Sequence, residues 1–355
     1  MARNVVHVVG TGTIGEPLIG LLAKHRAEFG IDEVTFYKHS PRATDRPMVK
    51  ALQKLGAKLA VADDKRAEFE KIGLKPDYSW NDALKAAKVV LDCTPEDSGL
   101  ENKANLYEHL NDGTRVFAAQ GSEDGFGVKY ALGINDRGVN FESNKFIHVV
   151  SCNTHNISVL IKALAFNGET NNLTEGRFIA IRRAGDVGDT KFIQAPQVDK
   201  HKEALGTHHA TDVADLYQTT LGQNLNIFSS AMKLNTPYMH TIHFNIRVKE
   251  PTTKEEVKNR IKGWKFLGYT EKTSTNEVFS FAREHGPFGR ILAQGVVCMP
   301  SLNVSADGKE IVGFCFTPQD GNVLATNVAV ALRALHPQDW EKRMTALDPY
   351  YVKEY

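Results

Sequence analysis

The sequence carries almost no excess of charge: 43 Lys plus Arg stand against 42 Asp plus Glu in 355 residues, a formal net charge of +1. That balance gives no electrostatic reason to expect a nucleic-acid or membrane-surface partner. No apolar run approaches the ~20 residues that a membrane-spanning helix needs. The opening MARNVVHVVGTG lacks the longer apolar region of a secretory signal, so a cytoplasmic location is expected. There are only four cysteines, Cys93, Cys152, Cys298 and Cys315, and no CxxC. They read as reduced thiols rather than a disulfide framework or a zinc site. No histidine has metal-ligand spacing to acidic or thiol partners, and no metal is expected. Repeats, low-complexity tracts and Pro/Ser-rich linkers are missing too. With 42% apolar and 24% charged residues the composition is ordinary globular, and the length suggests about two domains.

What is present begins at once. Val5 to Val9 is a short apolar run, read as a buried strand, and Gly10-Thr11-Gly12-Thr13-Ile14-Gly15 follows it. Beyond, Ile14, Leu18, Leu21 and Leu22 recur at helical spacing, with Pro17 tolerated in the first turn. A GxGxxG between a strand and a helix is the context of a dinucleotide site. The glycines allow a tight turn and close approach, and the helix N-terminus presents N–H groups and a positive dipole end to a pyrophosphate. Gly10, Gly12 and Gly15 are therefore candidate cofactor residues; the alternative is a merely structural glycine turn. The next strand, Glu33 to Tyr37, runs into Lys38-His39-Ser40-Pro41-Arg42, with no carboxylate at its tip. An NAD site usually has Asp or Glu there, whereas Lys38 and Arg42 suit a 2′-phosphate. NADP is thus the preferred cofactor, with NAD second; a solvated basic loop is the alternative.

Two more apolar strands have polar ends. Val89-Val90-Leu91 leads to Asp92-Cys93-Thr94-Pro95, and Val116-Phe117-Ala118-Ala119 leads to Gln120-Gly121. Ligands of open α/β sheets sit outside the carboxyl ends of the strands, so Thr94, Pro95, Gln120 and Gly121 are either cofactor-lining residues or plain strand-to-loop turns. The β/α alternation argues for a parallel sheet. From about residue 151 the strands are longer and alternating, such as Arg177 to Arg182 and His240 to Val248. One helix there has a capping box, Thr253-x-x-Glu256, and carries Val257, Ile261 and Trp264 on one face. The expected fold class is α/β: a Rossmann-type doubly wound parallel sheet domain plus an α+β catalytic domain with a mixed sheet.

Phe146 to Val150 is a strand that feeds into Ser151-Cys152-Asn153-Thr154, and a helix with Ile157, Leu160, Ile161 and Leu164 follows. Cys152 is thereby expected at a helix N-terminus, where the dipole favours a thiolate, a strong nucleophile toward aldehydes and acyl groups. The alternative is a small buried hydrophobe, the reading given to Cys93, Cys298 and Cys315.

At this point the chain resembles glyceraldehyde-3-phosphate dehydrogenase of the archaeal type. The resemblance rests on the GTGTIG turn and on Ser151-Cys152-Asn153-Thr154 between strand and helix. It extends to Asp92-Cys93-Thr94-Pro95 with Glu101-Asn102-Lys103, which resembles the family's DATP and ENK-like segment. Ile181-Arg182-Arg183-Ala184 resembles IRRA, and Thr207-His208-His209 with Asp212-Val213 resembles SHHGPDV. Met239-His240, then Pro251-Thr252, resembles the MH segment and PLT helix, and Gln319 resembles the glutamine of HQES. The resemblance implies that Cys152 is the catalytic nucleophile and His240 the catalytic base. It places Ser151, Asn153, His208, His209 and Arg183 at the substrate, and Thr13, Ile14, Gly121, Arg182 and Gln319 at the cofactor. By the same analogy, residues 323–355 return a C-terminal helix (Val328, Leu332, Leu335) to an NAD(P)-binding domain of residues 1–150. Residues 151–322 form the substrate domain, with the site in the cleft between.

The chemistry implied is oxidation of glyceraldehyde 3-phosphate through a Cys152 thiohemiacetal and thioester, then phosphorolysis by inorganic phosphate to 1,3-bisphosphoglycerate, in a homotetramer. The reductive direction would suit NADP. Three departures stand out. The family's CNTTG reads Cys152-Asn153-Thr154-His155-Asn156, which leaves open a semialdehyde reductase of the aspartate-semialdehyde type or a binding protein that has lost catalysis. The segment between His209 and His240 is longer than usual. The family's M-H-x-H becomes Met239-His240-Thr241-Ile242-His243. Period-two alternation puts His240 with Ile242, Phe244, Ile246 and Val248 on one strand face and His243 on the other, so the two cannot readily serve one site. A satisfied core histidine is the alternative for His240, and His243, His208 and His209 are the other candidates for the base.

Overall fold

Short, nearly all-apolar runs build the first sheet: Val5–Val9 (β1), Glu33–Tyr37 (β2), Lys58–Val61 (β3), Tyr78–Ser79 (β4), Val89–Asp92 (β5), Val116–Gly121 (β6), Val128–Tyr130 (β7) and Phe146–Val150 (β8). The computed structural model describes residues 3–110, 113, 116–185, 195–222, 224–236, 238–318 and 320–355. The strand order is β4-β3-β2-β1-β5-β6-β8-β7, and every described pairing is parallel. Parallel strands are covered on both faces, so they need apolar residues at every position instead of every other one. β1 and β5 are accordingly buried along their whole length. The order reverses between β1 and β5, which opens a crevice at the strands' carboxyl ends, and the glycine turn follows β1 there. The helix Gly15–Lys24 packs Leu18, Ile19, Leu21 and Leu22 against this sheet.

The chain divides into two units. One comprises Met1–Tyr130, Val139–Val149 and Leu324–Asp348; the other comprises Ala131–Gly138, Val150–Val323 and Pro349–Tyr355. The helix Leu324–Leu335 thus belongs with the parallel sheet.

The second unit holds a seven-stranded sheet in the order Gln197–Val198, Ile227–Lys233, Leu173–Arg182, His240–Val248, Glu310–Thr317, Gly295–Val304 and Leu267–Thr270. It is mixed: Leu173–Arg182 runs parallel to Ile227–Lys233 and antiparallel to His240–Val248. His240, Ile242, Phe244, Ile246 and Val248 are buried while the residues between them are not. Burying Ile242 and Phe244 contributes about 2–3 kcal/mol each. Against this face lies the helix Cys152–Ala165, flanked by the helices His208–Leu221 and Lys254–Gly263. The spacing of Ile157, Leu160, Ile161 and Leu164 marks one apolar face, but every residue from Asn153 to Ala165 is buried. Its polar faces are enclosed because they have partners: Lys162 Nζ reaches Glu169 at 3.1 Å, and the Tyr217 hydroxyl donates to the Ser158 carbonyl at 2.8 Å.

Candidate active site

In the first unit the turn after β1 is shaped by its glycines. Gly10 has φ +95°, and a Cβ on it would sit 2.9 Å from the Cys93 carbonyl oxygen. A Cβ on Gly15 would fall 2.2 Å from the Gly10 carbonyl oxygen, so both positions need glycine. Gly12 instead faces open space, with nothing within 4 Å of its would-be Cβ. Thr13 and Ile14 are half-buried beside it. The helix Gly15–Lys24 has no side-chain cap at Ile14; its Glu16 N–H goes to the Gly12 carbonyl at 3.1 Å and Pro17 has none to give, so what it turns toward an anion is chiefly its positive dipole end. These features fit a dinucleotide pyrophosphate.

The edges of this crevice are held from below. Buried Asp92 accepts from the Thr94 N–H at 2.9 Å, the Asn102 amide at 2.9 Å and the Tyr107 hydroxyl at 2.6 Å, tying the turn after β5 to the following helix. Gly121 has φ +92°, and His148 Nε2 donates to its carbonyl at 2.9 Å. Gln120 accepts from Asn327 at 3.4 Å. At the tip of β2, Lys38 is nearly enclosed: its Nζ lies 2.6 Å from Asp45 Oδ2 and donates to Thr11 Oγ1 at 3.4 Å. A carboxylate therefore does stand at the tip, brought back by the one-turn segment Ala43–Asp45. Reading only the residues next to the strand missed it. Arg42 is exposed.

In the second unit Ser151 comes directly after β8 and caps the next helix, its Oγ accepting from the Thr154 N–H at 3.4 Å. Cys152 is the first helical residue and the one cysteine of the four that is not buried. Burial pushes the thiols of Cys93 and Cys315 up, which leaves them inert. Asn322, fully buried, donates to the Cys152 carbonyl at 2.9 Å and to the Gln294 carbonyl at 3.0 Å.

A directional chain of hydrogen bonds supports the next residue. Asn153 Nδ2 donates to His209 Nε2 at 3.4 Å. His209 Nδ1 then donates to Thr207 Oγ1 at 2.9 Å, and Thr207 Oγ1 meets Ser229 Oγ at 2.6 Å. Burial, followed by the charges of His208, Arg182 and His240, holds His209 well below the ordinary imidazole range. It is a neutral relay behind Asn153. His208, 4.0 Å from it ring to ring, lines an open pocket with Asp199, Lys200, Lys202 and Thr207.

His240 opens the strand whose buried face meets the Cys152 helix. Its Nδ1 accepts the Arg183 backbone N–H at 2.8 Å. A backbone amide can only donate, so the neutral ring carries its proton on Nε2. Burial, then the charges of Arg183, Arg182 and Lys233, keeps the ring neutral. The Arg183 guanidinium is buried against Asp320 at 3.1 Å, whereas Arg182 is half-exposed and paired with Asp199 at 3.0 Å. His243 lies on the opposite sheet face with its ring 5.0 Å from that of Phe314, apart from this cluster. His155 and Asn156 are fully buried: His155 Nδ1 donates to the Ser151 carbonyl at 3.1 Å, and Asn156 donates to Thr317 Oγ1 at 2.7 Å. Gln319 lies outside the described residues.

No family model matches the chain. The chain is similar to the glyceraldehyde-3-phosphate dehydrogenase of Methanoregula boonei, 31% identical over 345 residues, which covers 93% of this chain and 91% of that one. It is also similar to the glyceraldehyde-3-phosphate dehydrogenases of Metallosphaera sedula, 28% identical over 336 residues (93% and 92%), and Archaeoglobus fulgidus, 29% identical over 291 residues (79% and 81%). With that identity over nearly the whole length, the chain belongs to the archaeal-type glyceraldehyde-3-phosphate dehydrogenase family and is an NAD(P)-dependent oxidoreductase.

Proposed function

We propose that the protein is a phosphorylating glyceraldehyde-3-phosphate dehydrogenase that works through Cys152. The observation that carries this reading is Cys152 itself: a half-exposed thiol at the first position of a 14-residue helix, its backbone carbonyl held by Asn322. A helix N-terminus favours the thiolate. The sulfur forms a bond to the aldehyde carbon, and the carbonyl π pair moves onto oxygen. His240 Nε2–H donates a hydrogen bond to that oxyanion, the opposite polarity to the base expected from the resemblance. Because the sulfur enters already deprotonated, collapse of the alkoxide to the thioester needs no further proton acceptor. Bound nicotinamide supplies the hydride acceptor at C4. Inorganic phosphate then attacks the thioester carbon, expels the Cys152 thiolate and yields 1,3-bisphosphoglycerate.

Ser151 and Asn153 line the reacting carbonyl. Half-exposed Arg182 and His208 are better placed than buried Arg183 and His209 to meet phosphate oxygens. Arg183 acts through its backbone N–H on His240, and His209 acts through Asn153. Glycine-turn residues Gly10, Gly12, Thr13, Ile14 and Gly15, with Gly121, Lys38 and Arg42, take the dinucleotide. A cytoplasmic homotetramer belongs to the same reading. Ile179 and Phe314, exposed on the face of the mixed sheet opposite the Cys152 helix, support self-association.

Cys152→Ser is expected to abolish turnover while the affinity for NADP⁺ stays near wild type, read by calorimetric titration. Retained turnover would overturn the nucleophile assignment. Rates with glyceraldehyde 3-phosphate and aspartate semialdehyde, each with and without inorganic phosphate, test the substrate. The phosphorylated triose should win, and turnover should stall without phosphate. The full burial of the His155 and Asn156 side chains of this helix favours this outcome, since neither alters the surface around Cys152.

A further inference from the structure

We propose that Asp45 sets the cofactor preference of the dinucleotide site, by holding Lys38 and by accepting the 2′-hydroxyl of the adenosine ribose. The inference rests on the reading that the glycine turn binds a nicotinamide dinucleotide. In a Rossmann-type sheet the groups at the end of the second strand meet the ribose 2′ position. Here the first residue past β2 is Lys38, and only 8% of its side chain is exposed. Its ammonium reaches Thr11 inside the glycine turn at 3.4 Å, which places the charge on the side of the tip that faces the turn. Asp45 Oδ2 meets the same ammonium at 2.6 Å, while 29% of the Asp45 side chain stays exposed. Its other oxygen, Oδ1, accepts from the Thr44 hydroxyl at a long 3.4 Å, so lone pairs remain for a further donor.

A carboxylate that accepts a 2′-hydroxyl is what an NAD site offers, and a lysine that meets a 2′-phosphate is what an NADP site offers. This tip holds both, tied to each other. NAD finds the carboxylate already oriented by Lys38. A 2′-phosphate must take Lys38 away from Asp45 and then sit beside the carboxylate. Exposed Arg42 offsets part of that repulsion, as does Lys65, which is anchored to the His39 carbonyl at 3.2 Å. Both dinucleotides are therefore accepted, and Asp45 lowers the NADP affinity that Lys38 and Arg42 alone would give. Discrimination of this kind comes from a repulsive element as much as from an attractive one.

Binding tests this without any turnover. The full chain is titrated calorimetrically with NADP⁺, NAD⁺, adenosine 2′,5′-bisphosphate and AMP in phosphate-free buffer. For Asp45→Asn the Kd for NADP⁺ and for the 2′,5′-bisphosphate should fall roughly tenfold, and that for NAD⁺ should rise several-fold. For Lys38→Met, NADP⁺ should weaken roughly tenfold, with a smaller change for NAD⁺. Asp45→Ser is the second variant, used in case the amide disturbs the segment. A wild-type chain that binds neither dinucleotide overturns the glycine-turn reading. A chain that binds both, while Asp45→Asn and Asp45→Ser keep the wild-type Kd ratio, overturns the role of Asp45 alone.

Discussion

A neutral imidazole whose Nδ1 accepts from a backbone amide carries its ring proton on Nε2, where it can only donate. That is the state of His240. Its pH behaviour follows. Burial first, and the charges of Arg183, Arg182 and Lys233 after it, depress the proton affinity, so the ring stays neutral as pH falls through the ordinary imidazole range. The profile of kcat should then show no acid limb from His240 near pH 6–7. His240→Ala should cost on the order of 10²–10³ in kcat, the usual cost of losing an oxyanion donor. His240→Asn, whose amide can still donate, should recover part of that loss. A general base would give the opposite pattern: an acid limb near neutrality, and an asparagine variant as inactive as the alanine one. Nitrogen NMR of the free enzyme, reporting which ring nitrogen carries the proton, checks the tautomer directly.

At the level of elements, legibility in the sequence tracks how local the cause is. The strand–turn–helix around Gly10 to Gly15 and the Ser151-Cys152 junction follow from neighbouring residues, and both form where the patterns put them. The Thr253–Glu256 capping box was equally readable, and both of its reciprocal hydrogen bonds are made. Thr253→Ala should lower stability by about 1 kcal/mol in urea unfolding and leave kcat unchanged, because the helix Lys254–Gly263 caps a core rather than a site. What the sequence did not display are partners set by tertiary folding. Asn322 reaches Cys152 across 170 residues, Asp320 reaches Arg183 across 137, and Asn156 reaches Thr317 across 161. No periodicity or spacing rule links such positions. The burial of the polar faces of the Cys152–Ala165 helix was hidden for the same reason, since its enclosure depends on two helices that come later in the chain.

For the whole molecule the consequence of buried neutral histidines is sensitivity to acid. His7 sits in the middle of β1, fully buried, with Nδ1 2.6 Å from Thr35 Oγ1, and burial pushes its pKa down to about 3. In the unfolded chain an imidazole titrates near 6.5. Between those two values the unfolded state binds the extra proton and the folded state does not, so stability rises with pH across that window and is lost as pH falls below about 6.5. Each such histidine contributes a slope of about 1.4 kcal/mol per pH unit within its window. His209 and His240 add slopes of the same sign in the other unit. With two units, a single unfolding free energy is not guaranteed, so the measurement must be local. Hydrogen exchange of the β1 amides, compared at pH 7 and pH 5, isolates the unit that contains His7. The wild-type chain should lose about 2 kcal/mol of protection from His7 over that interval, and His7→Asn, less stable at pH 7, should show a correspondingly shallower dependence. Equal pH slopes in the two proteins would mean that His7 takes up its proton inside the folded sheet, and the burial argument for this strand would be lost.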